Sequence, residues 1–218
     1  MRLLDKGKER NMTAEELKAY ASSFSSLCVD IGTGDGKRLY RVAKADPDTL
    51  YIGIDPVKEN MLDTVKKAAK KPEKGGLKNL LLVIGAVEKL PEELHSMADI
   101  ITVYFPWGSL LESVVKPIEG SMQQIYMVAK PGAAYTIVTT YQSIYEGAEI
   151  EKRGLPELST EYFETAHAAA LKKLGFVTEQ VTELTPEDVQ EIGTQWAKRL
   201  GTGRSRQYFS VSGTVEKA

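Results

Sequence analysis

Short apolar runs alternate with amphipathic segments along most of the chain. The runs that predict strands lie at residues 27–31, 50–54, 80–84, 100–104 and 134–140. Segments with apolar residues at helical spacing lie between them, at 37–45, 57–71, 109–115 and 118–129, and a Thr13-x-x-Glu16 capping pattern opens an earlier helix to about residue 24. This β-α-β-α order predicts a mostly parallel sheet with helices on both faces.

The C-terminal third changes character. A polar connection at 141–158 is predicted as a loop, followed by a helix at 159–174, a strand at 176–184, a helix from Thr185 to about residue 200 and a last strand at 207–215. Two strands around a helix, after five parallel strands, predict a terminal antiparallel pair. We therefore expect an α/β fold with a seven-stranded, mostly parallel sheet, in a single domain over residues 1–218.

Length and composition place this fold in a broad class of protein. The 218 residues suffice for one core, and the single cysteine, Cys28, lies inside an apolar run where a buried side chain is expected. No run approaches the ~20 apolar residues of a membrane span, and residues 1–11 are too charged for a signal peptide, so we expect a cytoplasmic protein without membrane contact. The net charge of −2 limits nucleic-acid contact to local basic patches.

A glycine-rich turn ends the first apolar run. Residues 30–36 read Asp-Ile-Gly-Thr-Gly-Asp-Gly, and the third glycine comes one residue too early for the dinucleotide pattern G-x-G-x-x-G. Asp30 places a carboxylate where the amino group of S-adenosylmethionine would lie and where a pyrophosphate would be repelled. Asp55, at the end of the next strand, is placed to accept hydrogen bonds from ribose hydroxyls. The turn therefore favours S-adenosylmethionine over NAD as cofactor.

An aromatic turn, Phe105-Pro106-Trp107-Gly108, follows the fourth strand, near the edge where open α/β sheets bind ligands. It lacks the acidic or amide side chain that enzymes methylating exocyclic amines often carry there. A ring nitrogen with its own lone pair, such as adenine N1, would need positioning more than deprotonation. From spacing alone, Trp107 could equally be a core residue.

Two groups of cations could meet RNA phosphates. The segment 194–206 combines Trp196 with Lys198, Arg199, Arg204 and Arg206, and residues 193–214 contain no acid. The second group is the lysine face, formed by Lys66, Lys67, Lys70 and Lys71; by itself it also fits a plain solvated helix face. The two histidines, His95 and His167, are expected at the surface or loosely packed, and without partners at ligand spacing they predict no metal site.

Seven stretches together resemble one enzyme family. They are DIGTGDG at 30–36, YIGIDPVKEN at 51–60, KKPEKGGL at 70–77, FPWGSLLE at 105–112, VTTY at 138–141, EIEKRGLP at 149–156 and WAKRLGTGRSR at 196–206. The first alone indicates only a class I, Rossmann-like S-adenosylmethionine-dependent methyltransferase. With the two tryptophan blocks, the set resembles the aminoglycoside-resistance 16S rRNA methyltransferases of the NpmA and Kam group over nearly the whole chain.

The resemblance implies methylation of N1 of the adenine at position 1408 of 16S rRNA, in the decoding site of the 30S subunit, by an enzyme we expect to act as a monomer. It implies cofactor contacts at Asp30, Gly32, Asp55, Ala86, Val87, Ser109 and Thr194, where the family has threonine for Ser109 and serine for Thr194. Thr194 would also border the base pocket.

The resemblance also assigns the substrate side. Trp107 and Trp196 would sandwich the flipped adenine, with Phe105 and Pro106 shaping its pocket, and Arg206 would hold the distorted backbone. The residues implied to grip rRNA phosphates are Lys66, Lys67, Lys70, Lys71, Arg153, Arg199 and Arg204. Insertions at about 71–79 and 141–158 would form the RNA-facing surface.

Three other functions stay open on the residues alone. The chain could methylate another rRNA or tRNA adenine, it could be a nicotinamide-dependent oxidoreductase, or it could be an RNA-binding module whose cofactor turn is vestigial. Binding of the two cofactors separates the first two classes, and methyl transfer to 30S subunits separates an enzyme from a binding module.

Overall fold

A computed structural model describes residues 1–194 and 206–217. Three residues of the predicted site, Trp196, Arg199 and Arg204, lie outside the described residues. Within the described ranges, no helix is both long enough and apolar enough to cross a membrane.

The strands and helices follow the predicted alternation. The strands are β1 Arg2–Asp5, β2 Lys8–Asn11, β3 Ser26–Ile31, β4 Thr49–Asp55, β5 Leu80–Ile84, β6 Ala98–Tyr104, β7 Ala129–Thr139, β8 Phe176–Leu184 and β9 Tyr208–Val215. The helices are α1 Ala14–Ala21, α2 Lys37–Ala45, α3 Lys58–Ala68, α4 Gly108–Val115, α5 Glu119–Val128, α6 Ser143–Arg153, α7 Thr160–Tyr162, α8 Ala168–Lys173 and α9 Pro186–Ile192, with a π-helical turn Phe163–His167 joining α7 to α8.

All nine described strands join one sheet, in the order β2-β1-β5-β4-β3-β6-β7-β9-β8. Strands β5, β4, β3, β6 and β7 pair in parallel, and β9 pairs antiparallel with both β7 and β8. The predicted seven strands and their terminal antiparallel pair are therefore confirmed. The strand order reverses at β3, so a ligand-binding cleft is expected at the carboxyl ends of β3, β4 and β6.

An N-terminal hairpin adds two strands that were not predicted. β1 and β2 pair antiparallel around Lys6 and Gly7, which both have positive φ (52° and 84°), as a two-residue hairpin turn requires. β1 also pairs with β5 through Leu3 and Leu4, which are buried, whereas all four residues of β2 are exposed. An exposed strand carries no apolar alternation, so its sequence does not reveal it.

Helices cover both faces of the sheet, because the central strands bury side chains on each side. On β4, Leu50, Ile52 and Ile54 belong to one apolar cluster, whereas Tyr51 packs in the other with α2 and α3. The capping box is present at Thr13 and Glu16, and a second one opens α9 at Thr185 and Asp188.

Three predictions about the C-terminal third were wrong in detail. Residues 141–158 contain helix α6; none of its residues is buried, so the polar segment lacks the apolar stripe that normally identifies a helix. The helix predicted to reach residue 200 ends, among the described residues, at Ile192, because Gly193 takes the left-handed conformation at its cap (φ 68°). His167 is buried rather than near the surface.

Candidate functional site

The glycine turn lies at the carboxyl ends of β3 and β4. Gly32, Gly34 and Gly36 all have positive φ, between 61° and 77°, which residues with a Cβ rarely adopt. The N–H groups of Gly32 and Thr33 donate hydrogen bonds to the Ile54 carbonyl at 2.8 and 3.0 Å, so the turn is fixed to the neighbouring strand. The sequence pattern thus produces a rigid turn at the strand-order reversal.

A cavity of about 680 Å³ opens beside this turn, large enough for a cofactor-sized ligand. We refer to it as the cofactor cavity. It brings together ten predicted site residues from distant parts of the chain: Asp30, Gly32, Asp55, Ala86, Val87, Phe105, Pro106, Trp107, Ser109 and Thr194. Predicted cofactor contacts and the aromatic turn therefore share one cavity.

Asp30 lies at the end of β3 with its carboxylate buried. Thr102, on the adjacent strand β6, donates a hydrogen bond to its Oδ1 at 2.6 Å, and the Arg38 guanidinium lies 3.6 Å from the same oxygen. Burial raises the pKa of Asp30, while Arg38 and Thr102 act in the opposite direction. A cation held against this carboxylate would stabilise its charged form.

Asp55 ends β4 and accepts two backbone hydrogen bonds at the rim of the turn. Gly34 N–H donates to Oδ2 and Val57 N–H donates to Oδ1, both at 2.9 Å. These bonds fix the carboxylate, and each oxygen keeps a second lone pair for a ligand hydroxyl. Burial is the main cause that raises the pKa of Asp55, and the charge of Asp30 raises it further.

Two of the lining residues that were not predicted as site residues, Arg38 and Tyr104, contact each other. Arg38, in the first turn of α2, places its guanidinium carbon 3.7 Å from the centre of the Tyr104 ring and beside Asp30. Tyr104 is the last residue of β6. The available signal was position: Arg38 comes two residues after the last glycine of the turn, where a helix starts at the cavity.

The aromatic turn is held in a strained conformation. Phe105 has a φ of 49°, unusual for a residue with a large side chain, and it is buried edge-on against Tyr208. Such a conformation costs of order 1 to 3 kcal/mol and occurs most often at functional sites. Its consequence is the placement of Trp107, which is 48% exposed at the cavity and precedes α4. A core role for Trp107 is therefore excluded.

The end of α9 is anchored to α2 beside the cavity. Arg41 donates hydrogen bonds to the carbonyls of Glu191, Ile192 and Gly193, at 3.2, 2.7 and 3.5 Å. Glu191 and Ile192 are the last two residues of α9 and Gly193 is its cap, so the guanidinium contributes to capping the C-terminus of this helix. The next residue, Thr194, lines the cofactor cavity.

The predicted RNA-binding cations fall into two groups. Lys66, Lys67, Lys70 and Lys71 are exposed, and none forms an ion pair with another residue in the described ranges. Because α3 starts next to the cavity and rises about 1.5 Å per residue, Lys66 lies roughly 12 Å further along it. The lysine face is thus separate from the cavity.

Arg153 and Arg206 are not the exposed cations that the sequence suggested. Arg153 bonds to Glu149 and, at 3.1 Å, to Glu112, so it joins α6 to α4. Arg206 is 3% exposed, forms two hydrogen bonds to Glu146, and its guanidinium carbon lies 4.4 Å from the centre of the Tyr145 ring. Glu112 lies far from Arg153 in sequence, and Glu146 and Glu149 lie in the segment that was predicted as a loop. The sequence therefore did not show that these arginines are paired.

Neither Cys28 nor His167 lines the cofactor cavity. Cys28 is buried, and burial raises the pKa of its thiol to about 12, so it stays protonated. His167 donates from Nε2 to the Val114 carbonyl at 2.8 Å, and burial lowers its pKa. No group of three potential metal ligands occurs in the described part of the chain.

The whole chain was compared with known protein families. The family model described as 16S rRNA (adenine(1408)-N(1))-methyltransferase, NpmA, matches residues 4–215. An Escherichia coli protein of that description is 47% identical over 218 residues, covering all of both chains.

Solved structures give the same relationship. A crystal structure of a variant 16S rRNA (adenine(1408)-N(1))-methyltransferase from Catenulisporales acidiphilia, with the cosubstrate S-adenosylmethionine, superposes with a TM-score of 0.90. It is 34% identical and covers 100% of this chain and 97% of its own. The 16S rRNA methyltransferase KamB superposes with a TM-score of 0.92 at 29% identity, with complete coverage of both chains.

Proposed function

The chain belongs to the NpmA family of 16S rRNA (adenine(1408)-N(1))-methyltransferases, and we propose that the cofactor cavity and the aromatic turn carry out this reaction in the 30S decoding site. The chain is an S-adenosylmethionine-dependent enzyme acting on 16S rRNA. One observation carries the assignment of roles to its own residues: two buried carboxylates and an exposed tryptophan line the same cavity.

The residues of the cavity fit S-adenosylmethionine. Its amino group and sulfonium are cationic, and the buried Asp30 carboxylate would gain from a second cation beside the Arg38 guanidinium, which lies 3.6 Å away. The Asp55 oxygens keep lone pairs for the two ribose hydroxyls, and Ala86 and Val87 at the end of β5 offer an apolar wall to the adenine ring. Gly34 leaves open space, since an added Cβ would meet nothing within 4 Å.

The aromatic turn is proposed to receive the target base. Trp107 is 48% exposed and lines the cavity, and base stacking on an aromatic contributes about 1 to 3 kcal/mol. Reaching a base in the decoding site requires that the base leave its stack. We propose that Trp196, outside the described residues, covers the opposite face, with Phe105 and Pro106 closing the end of the pocket.

Orientation is the main catalytic contribution of the chain. S-adenosylmethionine supplies an electrophilic methyl group when bound. Adenine N1 carries a free lone pair, so no side chain has to remove a proton from it. The rigid glycine turn, the two carboxylates and Trp107 hold the reacting atoms in line, and fixed orientation of this kind accounts for several kcal/mol of barrier lowering.

The lysine face is proposed to dock the enzyme on rRNA. Its four exposed ammonium groups lack intramolecular carboxylate partners among the described residues, so they are available to phosphates. Arg199 and Arg204 would add contacts beside the base. We propose that residues 71–79 and α6 border this surface, that the enzyme works as a monomer in the cytoplasm with its substrate, and that methylation protects the ribosome from aminoglycosides.

Methyl transfer to purified 30S subunits tests the proposal. Tritiated S-adenosylmethionine should label 16S rRNA in 30S subunits, while 50S subunits and tRNA stay unlabelled. The Trp107→Ala variant should bind cofactor normally by calorimetry and transfer almost no label. Equal labelling of tRNA, or full activity of Trp107→Ala, would contradict the assignment.

A further inference from the structure

Among the described residues, the guanidinium of Arg38 has no hydrogen-bond partner, although it is mostly buried. It is only 14% exposed, and Nε is fully buried. None of its five N–H groups makes a hydrogen bond to a residue within 1–194 or 206–217; the nearest anion, Asp30 Oδ1, lies at 3.6 Å, beyond hydrogen-bond range. Buried polar groups are nearly always satisfied, so this guanidinium indicates that an anionic ligand binds here.

The position of Arg38 is fixed by its surroundings. Its guanidinium carbon stacks 3.7 Å from the centre of the Tyr104 ring, and its backbone belongs to the first turn of α2, directly after the glycine turn. Both Arg38 and Tyr104 line the cofactor cavity. A stacked, planar guanidinium presents its donors in a fixed fork that matches a carboxylate.

Asp30 and Arg38 together form a pair of opposite charges at one end of the cavity. An α-amino acid carries an ammonium and a carboxylate on neighbouring atoms, so such a pair can bind both groups at once, each through charge-assisted hydrogen bonds. We propose that Arg38 binds the α-carboxylate of the methionine part of S-adenosylmethionine while Asp30 binds its amino group. The proposal rests on the assignment of S-adenosylmethionine to this cavity.

Other partners for Arg38 fit less well. Lys37 also lines the cavity, but it is largely exposed and forms an ion pair with Asp35 at 3.1 Å. Arg38 is therefore the better partner for the α-carboxylate of the cofactor. An rRNA phosphate is bulky and strongly hydrated, and a guanidinium that is only 14% exposed offers it little access. A carboxylate carried into the cavity by the cofactor has no such barrier.

Decarboxylated S-adenosylmethionine isolates this contact, because it keeps the amine, the sulfonium and the nucleoside and loses only the carboxylate. Calorimetry should show wild type binding S-adenosylmethionine about 10- to 100-fold more tightly than the decarboxylated form, the range expected for charged hydrogen bonds. In Arg38→Gln this ratio should fall to about 1. The ratio cancels indirect effects through Asp30, since both ligands carry the same amino group.

Control variants separate loss of the Arg38 contact from a general change in charge or folding. Lys44→Gln removes one positive charge from an exposed position of the same helix and should keep the wild-type ratio. Arg38→Lys keeps the positive charge and should restore part of the affinity ratio. Thermal melts show whether each variant is folded. An unchanged ratio in folded Arg38→Gln overturns the proposal, as does weaker 30S binding with intact cofactor affinity, which would assign Arg38 to a phosphate. Failure of wild type to bind S-adenosylmethionine would instead refute the cofactor assignment itself.

Discussion

The buried ion pair between Glu146 and Arg206 gives a strong prediction about stability. Arg206 is 3% exposed, and its guanidinium donates two hydrogen bonds to the carboxylate of Glu146. No other carboxylate forms an ion pair with Arg206 in the described residues. Glu146→Gln keeps the side chain's size and removes its charge. The guanidinium then remains buried against Tyr145 without compensation.

The magnitude follows from the burial of the pair. Removing one partner of a buried ion pair costs about 3 to 5 kcal/mol, whereas replacing both partners by apolar residues of similar volume is often neutral. For a chain of this size, each kcal/mol lowers Tm by about 2 to 4 °C. Glu146→Gln should therefore melt about 6 to 20 °C below wild type, and the double variant Glu146→Leu, Arg206→Met should recover most of this loss.

Thermal and urea unfolding of both variants test the predicted changes in stability. Methylation of 30S subunits at saturating enzyme tests the function of the stable double variant. If Arg206 stabilises the flipped backbone, the double variant should dock within a few-fold of wild type and methylate poorly. A wild-type Tm for Glu146→Gln would refute the buried pair, and full methylation by the double variant would refute a role for Arg206 in turnover.

Four further predictions concern the site, the RNA surface and pH. Trp107→Ala should lose most methylation and change stability by less than about 1 kcal/mol, since the side chain is half exposed; a core residue would cost about 3 to 5 kcal/mol by urea unfolding. Neutralising Lys66 and Lys70 should lower the slope of log K for 30S binding against log salt by about 0.7 to 0.9 per lost contact. Because burial raises the pKa of Asp30, calorimetric affinity for S-adenosylmethionine should fall as pH drops, beginning above the ordinary aspartate pKa of about 3.9, and Asp30→Asn should bind weakly without that slope. Because burial lowers the pKa of His167, urea stability should fall as pH drops below about 6.5, and His167→Gln should lack this dependence.

Much of the fold was predictable because its central elements combine periodicity with clear end signals. The helix at 37–45 and the strands at 80–84 and 176–184 occur at the predicted bounds, and the glycine turn forms at 32–36. Elements without a buried face were missed. The exposed strand β2 is held by its pairing with β1, and the polar helix α6 by long-range ion pairs such as Glu112–Arg153 and Glu146–Arg206, which no local pattern reveals.

The residues of the site also fall into a predictable group and a group that the sequence could not place. Residues in the glycine and aromatic turns were predicted, because motif spacing fixes their place at the carboxyl edge of the sheet. Charged side chains were harder to place. Whether an arginine is free depends on carboxylates that only the fold brings near it, as Glu146 shows for Arg206 and Glu112 for Arg153. Sequence gives the charge of such a residue but not its partner.

Reverse transcription of 16S rRNA from cells that express the protein tests the central claim most directly. A methyl group on adenine N1 blocks base pairing and halts the polymerase. We expect a strong stop one nucleotide short of position 1408, present with wild type and absent with Trp107→Ala expressed at the same level. No stop at that position with folded, cofactor-binding wild type, or a stop at a different adenine, would contradict it.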